Sequence, residues 1–129
     1  MGALEGGICF QKGLGAVHAV SHALGALGHH HGTLNAILLP HVLRMNAPYI
    51  SDKMTVMSVA MRFPADADLP LAFARLSQRL ALPEGLRELG IETAIFPEIA
   101  RSALADNAHK TNPFALTEQD YIKLLHEAW

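Results

Sequence analysis

From Gly13 to Gly28 the chain carries only three polar side chains, His18, Ser21 and His22. Such a segment is helical, and a helix that is apolar around nearly its whole circumference has to be enclosed by other protein. Lipid is excluded as the enclosing medium, because three polar groups so close together are costly in a bilayer. The segment also lacks the basic flank of a secretory signal. The rest of the chain therefore has to supply a shell around this one helix.

That shell is helical too. No segment alternates apolar and polar residues over a convincing length, whereas spacings of three and four recur throughout. The first helix runs from about Leu14 to Leu27 and should be buried on all sides. A second opens near Thr33, a suitable N-cap, with Leu34, Ile37, Leu38, Val42 and Met45 on one stripe. Pro40 interrupts its hydrogen-bond ladder and predicts a kink. Ser51 is placed to cap a third helix through Met61, with Met54, Met57 and Met61 as core packing. Leu69, Phe73, Leu76 and Leu80 mark a fourth. A short turn follows Pro83 and stops at Gly90, and a fifth helix should run from Glu92 to Ala105. Thr117-Glu-Gln-Asp120 has the form of a capping box and opens a terminal helix with Tyr121, Leu124, Leu125 and Ala128 inward. The expected fold class is all-α, an irregular or orthogonal helical bundle forming one domain over residues 1–129.

Composition narrows the partners. Hydrophobic residues make up 50% and charged ones 17% of the 129 residues. Charge is therefore scarce beside the quarter typical of soluble domains, and self-association into a homo-oligomer is expected. A net charge of −2 with no basic run gives no electrostatic case for nucleic acid or an anionic membrane. A single cysteine, Cys9, cannot form an internal disulfide, which suits a reducing cytoplasmic setting.

Histidine is the compositional oddity. There are eight, and His18, His22, His29, His30 and His31 lie close together. Residues four apart on a helix rise about 6 Å and rotate by only about 40°, so His18 and His22 share a face. Imidazoles in a dry setting are natural ligands for zinc, iron or nickel. Two ligands do not complete a site. His31 could fold back as a third, with His29 and His30 as alternatives. From Gly6 to Ser51 there is no acidic residue, so a carboxylate has to come from later in the chain or from outside it. His41 and His126 read as surface or helix-flank residues and His109 as part of a connector.

Two stretches carry a resemblance. Lys12-Gly-Leu-Gly-Ala-Val-His-Ala-Val-Ser-His-Ala-Leu-Gly25 and His31-Gly-Thr-Leu-Asn-Ala-Ile-Leu-Leu-Pro-His-Val-Leu-Arg-Met-Asn46 resemble the C-terminal helical domain of iron-containing (group III) alcohol dehydrogenases. Leu86-Arg-Glu-Leu-Gly-Ile91 and the stretch from Asp106 to the closing helix extend the likeness over nearly the whole chain. The resemblance implies the C-terminal domain of a dehydroquinate-synthase-like fold. It also implies a divalent metal, iron or zinc, held by one Asp and three His, of which two match His18 and His31. His22 matches a histidine close to metal and nicotinamide, with a catalytic role outside the coordination shell. Phe10 falls where the family lines its substrate pocket.

The same resemblance implies partners beyond this sequence. The other two ligands, and the Rossmann-like domain that binds NAD or NADP, lie upstream in the family, and no glycine-rich phosphate loop occurs here. The chain then reads as the downstream part of a metal-dependent NAD(P) alcohol dehydrogenase, completed by a nucleotide-binding domain or a neighbouring subunit and inactive by itself. In that family the metal acts as a Lewis acid and hydride passes to nicotinamide. The alternative is a helical interaction or dimerisation module that keeps the bundle without the activity.

Overall fold

The computed structural model describes residues 2–129, and among them there is no strand. Seven α-helices follow one another: α1 (Gly2–Phe10), α2 (Gly15–Gly25), α3 (His31–Asn46), α4 (Ser51–Ala60), α5 (Leu69–Arg79), α6 (Phe96–Ala105) and α7 (Glu118–Glu127), joined in places by 3₁₀ turns. The all-α expectation holds. None of these helices is long and apolar enough to cross a membrane.

The apolar helix forms the hub. Ala16, Val17, Ala19, Val20 and Leu24 of α2 pack into one cluster with Leu34, Ile37, Leu38 and Val42 of α3. Phe96, Ile99, Ala100 and Ala103 of α6 join that cluster, as do Tyr121, Leu124 and Leu125 of α7. Burial of α2 is not uniform, however. His22 is exposed and His18 half-buried, so one edge of the hub stays open.

The start of α2 is fixed from a distance. Its N-cap, Leu14, has no side chain able to cap it, so the first backbone N–H groups need outside acceptors. Thr111 Oγ1 accepts from the N–H groups of Leu14 (3.1 Å) and Gly15 (3.3 Å), and Asn112 Oδ1 accepts from Ala16 (3.3 Å). Asn112 also exchanges two 3.1 Å side-chain hydrogen bonds with buried Asn46 at the end of α3. The connector before α7 thus sets both helices that carry the clustered histidines.

Several helix starts differ from the sequence expectation, each for a local reason. α3 begins at His31, because His30 is its N-cap and accepts from the Thr33 N–H through Nδ1 at 3.2 Å. The helix continues through Pro40 to Asn46. α6 begins at Phe96, after a 3₁₀ turn over Thr93–Ile95. Pro97 has no N–H to donate, and the first helical turn is where that loss costs nothing. α4 starts at Ser51 with Ile50 in the cap position and no side-chain cap. None of Met54, Met57 and Met61 is fully buried, and Ser58 is the buried residue of α4. The methionine stripe is thus not core. α4 also carries Val56 and Val59 on its open side, 68% and 59% exposed.

The capping box at α7 is present as read. The Asp120 N–H donates to Thr117 Oγ1 at 3.2 Å, and the Thr117 N–H donates to Asp120 Oδ2 at 2.8 Å. The Thr117 backbone and hydroxyl donors hold the Asp120 carboxyl below the usual carboxylate range. Thr117→Ala should lower stability by about 1 kcal/mol in a urea melt. The part supplied by ionised Asp120 should be present above the ordinary carboxylate pKa and be lost as pH falls through the lowered value.

Candidate metal centre

Three imidazoles meet where the open edge of α2 faces the first turn of α3. Ring centroids of His18 and His22 are 5.7 Å apart, those of His18 and His31 5.2 Å, and those of His22 and His31 5.4 Å. Of the three candidates in the histidine run, His31 is the one brought to the α2 pair. His30 is engaged elsewhere, since its Nδ1 accepts both the Thr33 N–H and, at 3.0 Å, the Thr33 hydroxyl.

Asn35, one turn beyond His31, bridges the two rings. Its amide nitrogen donates to His31 Nε2 at 3.1 Å and to His18 Nε2 at 3.4 Å. With the amide in this orientation its two hydrogens meet both Nε2 lone pairs, and both rings carry their proton on Nδ1. Two imidazole nitrogens therefore converge on the Asn35 amide, whose hydrogens a metal ion would displace. Burial and the neighbouring His31 and His22 lower the His18 pKa, and the weaker pull of the Leu14 carbonyl does not offset this. His18 is thereby kept neutral, the form that binds a metal.

These features fit a divalent cation, but they amount to half a site. Among the described residues, no group of three or more His, Cys, Asp or Glu side chains is arranged to hold a metal ion. His22 is directed elsewhere. Its Nδ1 lies 3.0 Å from Asp106 Oδ2, an acid that follows α6. Asp106 Oδ1 accepts from the Ala108 N–H at 2.7 Å and caps the 3₁₀ turn Asn107–Thr111. Partial burial disfavours the Asp106 charge, but the Ala108 N–H and His22 outweigh it and hold the carboxyl below the usual range.

A carboxylate ligand was expected from later in the chain or from outside it; Asp106 is the acid that comes near, and it pairs with His22. Asp106 and Asn35 were not identified as site residues from sequence. Asp106 is 84 positions from His22, beyond any local pattern. Asn35 stands at the i+4 position from His31, a spacing that offered a signal.

Phe10 closes α1 as an exposed ring, 62% accessible, whereas the imidazoles gather on α2 and α3. His126 is exposed, as expected, with its ring edge against Phe96. His41 lies on the flank of α3. It is half-buried with Nδ1 unpartnered, and burial followed by Arg44 lowers its pKa. His109 Nδ1 is 3.1 Å from the hydroxyl of Tyr121, whose ionisation burial and the Asp106 charge push well beyond its usual value.

Residues 2–129 match the profile of the Fe-containing alcohol dehydrogenase family, C-terminal. The chain is 42% identical over 135 residues to 4-hydroxybutyrate dehydrogenase from Cupriavidus necator, covering 97% of this chain and 35% of that protein. Lactaldehyde reductase from Escherichia coli (strain K12) is 35% identical over 127 residues, covering 91% and 33%. A crystal structure of 1,3-propanediol oxidoreductase superposes with a TM-score of 0.86 at 34% identity, over 90% of this chain and 33% of that one. The chain spans about a third of the length of the relatives it matches.

Proposed function

The chain belongs to the Fe-containing alcohol dehydrogenase family, and from that premise we propose that it forms the metal-binding wall of an NAD(P)-dependent alcohol dehydrogenase. The reaction is hydride transfer between an alcohol or hydroxy acid and nicotinamide. The carrying observation is the pair of Nε2 atoms, on His18 and His31, that converge on the Asn35 amide nitrogen. His18 and His31 would hold iron or zinc, and a Lewis acid there would polarise the substrate oxygen, with nicotinamide as the hydride carrier. His22 orients the substrate or relays its proton without holding the metal. The nicotinamide domain and the remaining two ligands come from outside the 129 residues.

Titration with Zn²⁺ or Co²⁺ tests the ligand assignment. Two ligands should give weak binding, with water or a neighbouring chain filling the other positions. His31→Ala should abolish it, while His22→Ala and His30→Ala should leave most of it. Binding that survives His31→Ala but not His30→Ala would refute the assignment.

A specific observation also supports the interaction-module reading. Leu4 and Ile8 of α1, Val56 and Val59 of α4, and Leu71 and Leu76 of α5 are all at least 40% exposed. So much large apolar surface is unusual for a monomer. Light scattering of the 129-residue chain should find dimers or larger species, and a strict monomer at high concentration would contradict this.

A further inference from the structure

His22 stands in a particular setting. Its ring lies parallel to that of His31, with an interplanar angle of 14°, and its Nδ1 faces an acid that is itself anchored. Asp106 has its Oδ1 committed to the Ala108 N–H at 2.7 Å, which leaves Oδ2 aimed at His22. The anchor has depth. The 3₁₀ turn that Asp106 caps ends at Thr111, which accepts from the first N–H groups of α2, the helix that carries His22. The carboxylate and the imidazole are therefore held in register by one connected unit.

The geometry points to Asp106 as a positioning residue that fixes the tautomer of His22, with its proton on Nδ1 and an unprotonated Nε2 on the opposite side of the ring. A carboxylate has no hydrogen to offer when ionised, so the His22 nitrogen facing it has to be the donor. A neutral imidazole left to itself favours the opposite tautomer, with the proton on Nε2. Without Asp106, His22 would meet a substrate hydroxyl as a donor. With Asp106, His22 meets that hydroxyl as an acceptor, the form able to take its proton. This role deepens the dehydrogenase reading and rests on it, but the tautomer is a property of the chain alone.

Long-range ¹H–¹⁵N correlation spectra of the full chain at alkaline pH, where its imidazoles are neutral, report each tautomer directly. His22→Gln identifies the His22 signals by their loss. The expected wild-type pattern is protonation at Nδ1. In Asp106→Asn the carboxamide can keep the cap on Ala108 through its oxygen and turn its NH₂ toward His22, moving the proton to Nε2. Asp106→Ser also caps but is too short to reach the ring, so it should give the Nε2–H form as well. A merely structural Asp106 would leave the tautomer of His22 unchanged in both variants, and that result overturns the proposal. A wild-type His22 protonated on Nε2 overturns it without any variant, should both lose their fold. Neither result bears on metal binding by His18 and His31, so the dehydrogenase reading stands or falls separately.

Discussion

A chimera carrying residues 2–129 in place of the C-terminal third of the Cupriavidus necator relative should oxidise alcohols with NAD or NADP, whereas the isolated chain should show no turnover even with added iron or zinc. The contrast follows from positioning. Holding nicotinamide against a bound alcohol is worth about 7–11 kcal/mol of barrier, as effective molarities of such arrangements indicate. On the proposed reading the 129 residues supply two of the ligands and leave the dinucleotide to the rest of the enzyme. In the chimera, His18→Ala and His31→Ala should each lower kcat/KM by about a hundred- to a thousandfold, the scale of losing a preorganised electrostatic element. His22→Ala should reduce turnover while metal content stays near one equivalent. Turnover by the isolated chain would refute the fragment reading. A folded, metal-loaded but silent chimera would favour the interaction module.

The features legible in the sequence are those whose cause is local. The hub helix announces itself through its missing charge, and the α7 start through Thr117 and Asp120, three residues apart. The pairing of His18 with His22 needs only helical geometry. α1 escaped notice because Gly6 and Gly7 weaken a short apolar stretch that has no cap in front of it. α4 was misread for the opposite reason. Its apolar residues lie all around the helix, so Met54 and Met57 gave no guide to which side is covered, and Val56 and Val59 face outward. The third histidine depended on a competition that spacing does not reveal. Capping by His30 turns its ring back onto Thr33, which leaves His31 as the first helical residue facing α2. Asp106 reaches His22 only after α6 has packed along α2, so it is a product of tertiary structure.

The dependence of the site on a distant connector leads to the second large effect, at a glycine far from the imidazoles in chemistry. Gly13 has φ of +94°, and a Cβ placed on it would sit inside the side chain of Thr111. Gly13→Ala should therefore combine two penalties. The left-handed backbone costs an alanine about 1–2 kcal/mol. Displacing Thr111 also removes the acceptor for the Leu14 and Gly15 N–H groups, and each such hydrogen bond is worth about 0.5–1.5 kcal/mol. A loss of about 2–5 kcal/mol in a urea melt is expected, a large fraction of the stability of a domain this size. Thr111→Val separates the two terms, because it keeps the shape and removes only the hydroxyl, which accepts from Leu14 and Gly15 and donates to the Ala108 carbonyl. It should cost about 1–2 kcal/mol, clearly less than Gly13→Ala. Both variants should also loosen the start of α2, and with it His18, weakening Zn²⁺ binding although neither residue touches an imidazole. A Gly13→Ala protein within about 0.5 kcal/mol of the parent, with unchanged metal affinity, would show that Thr111 does not anchor the helix that carries the site.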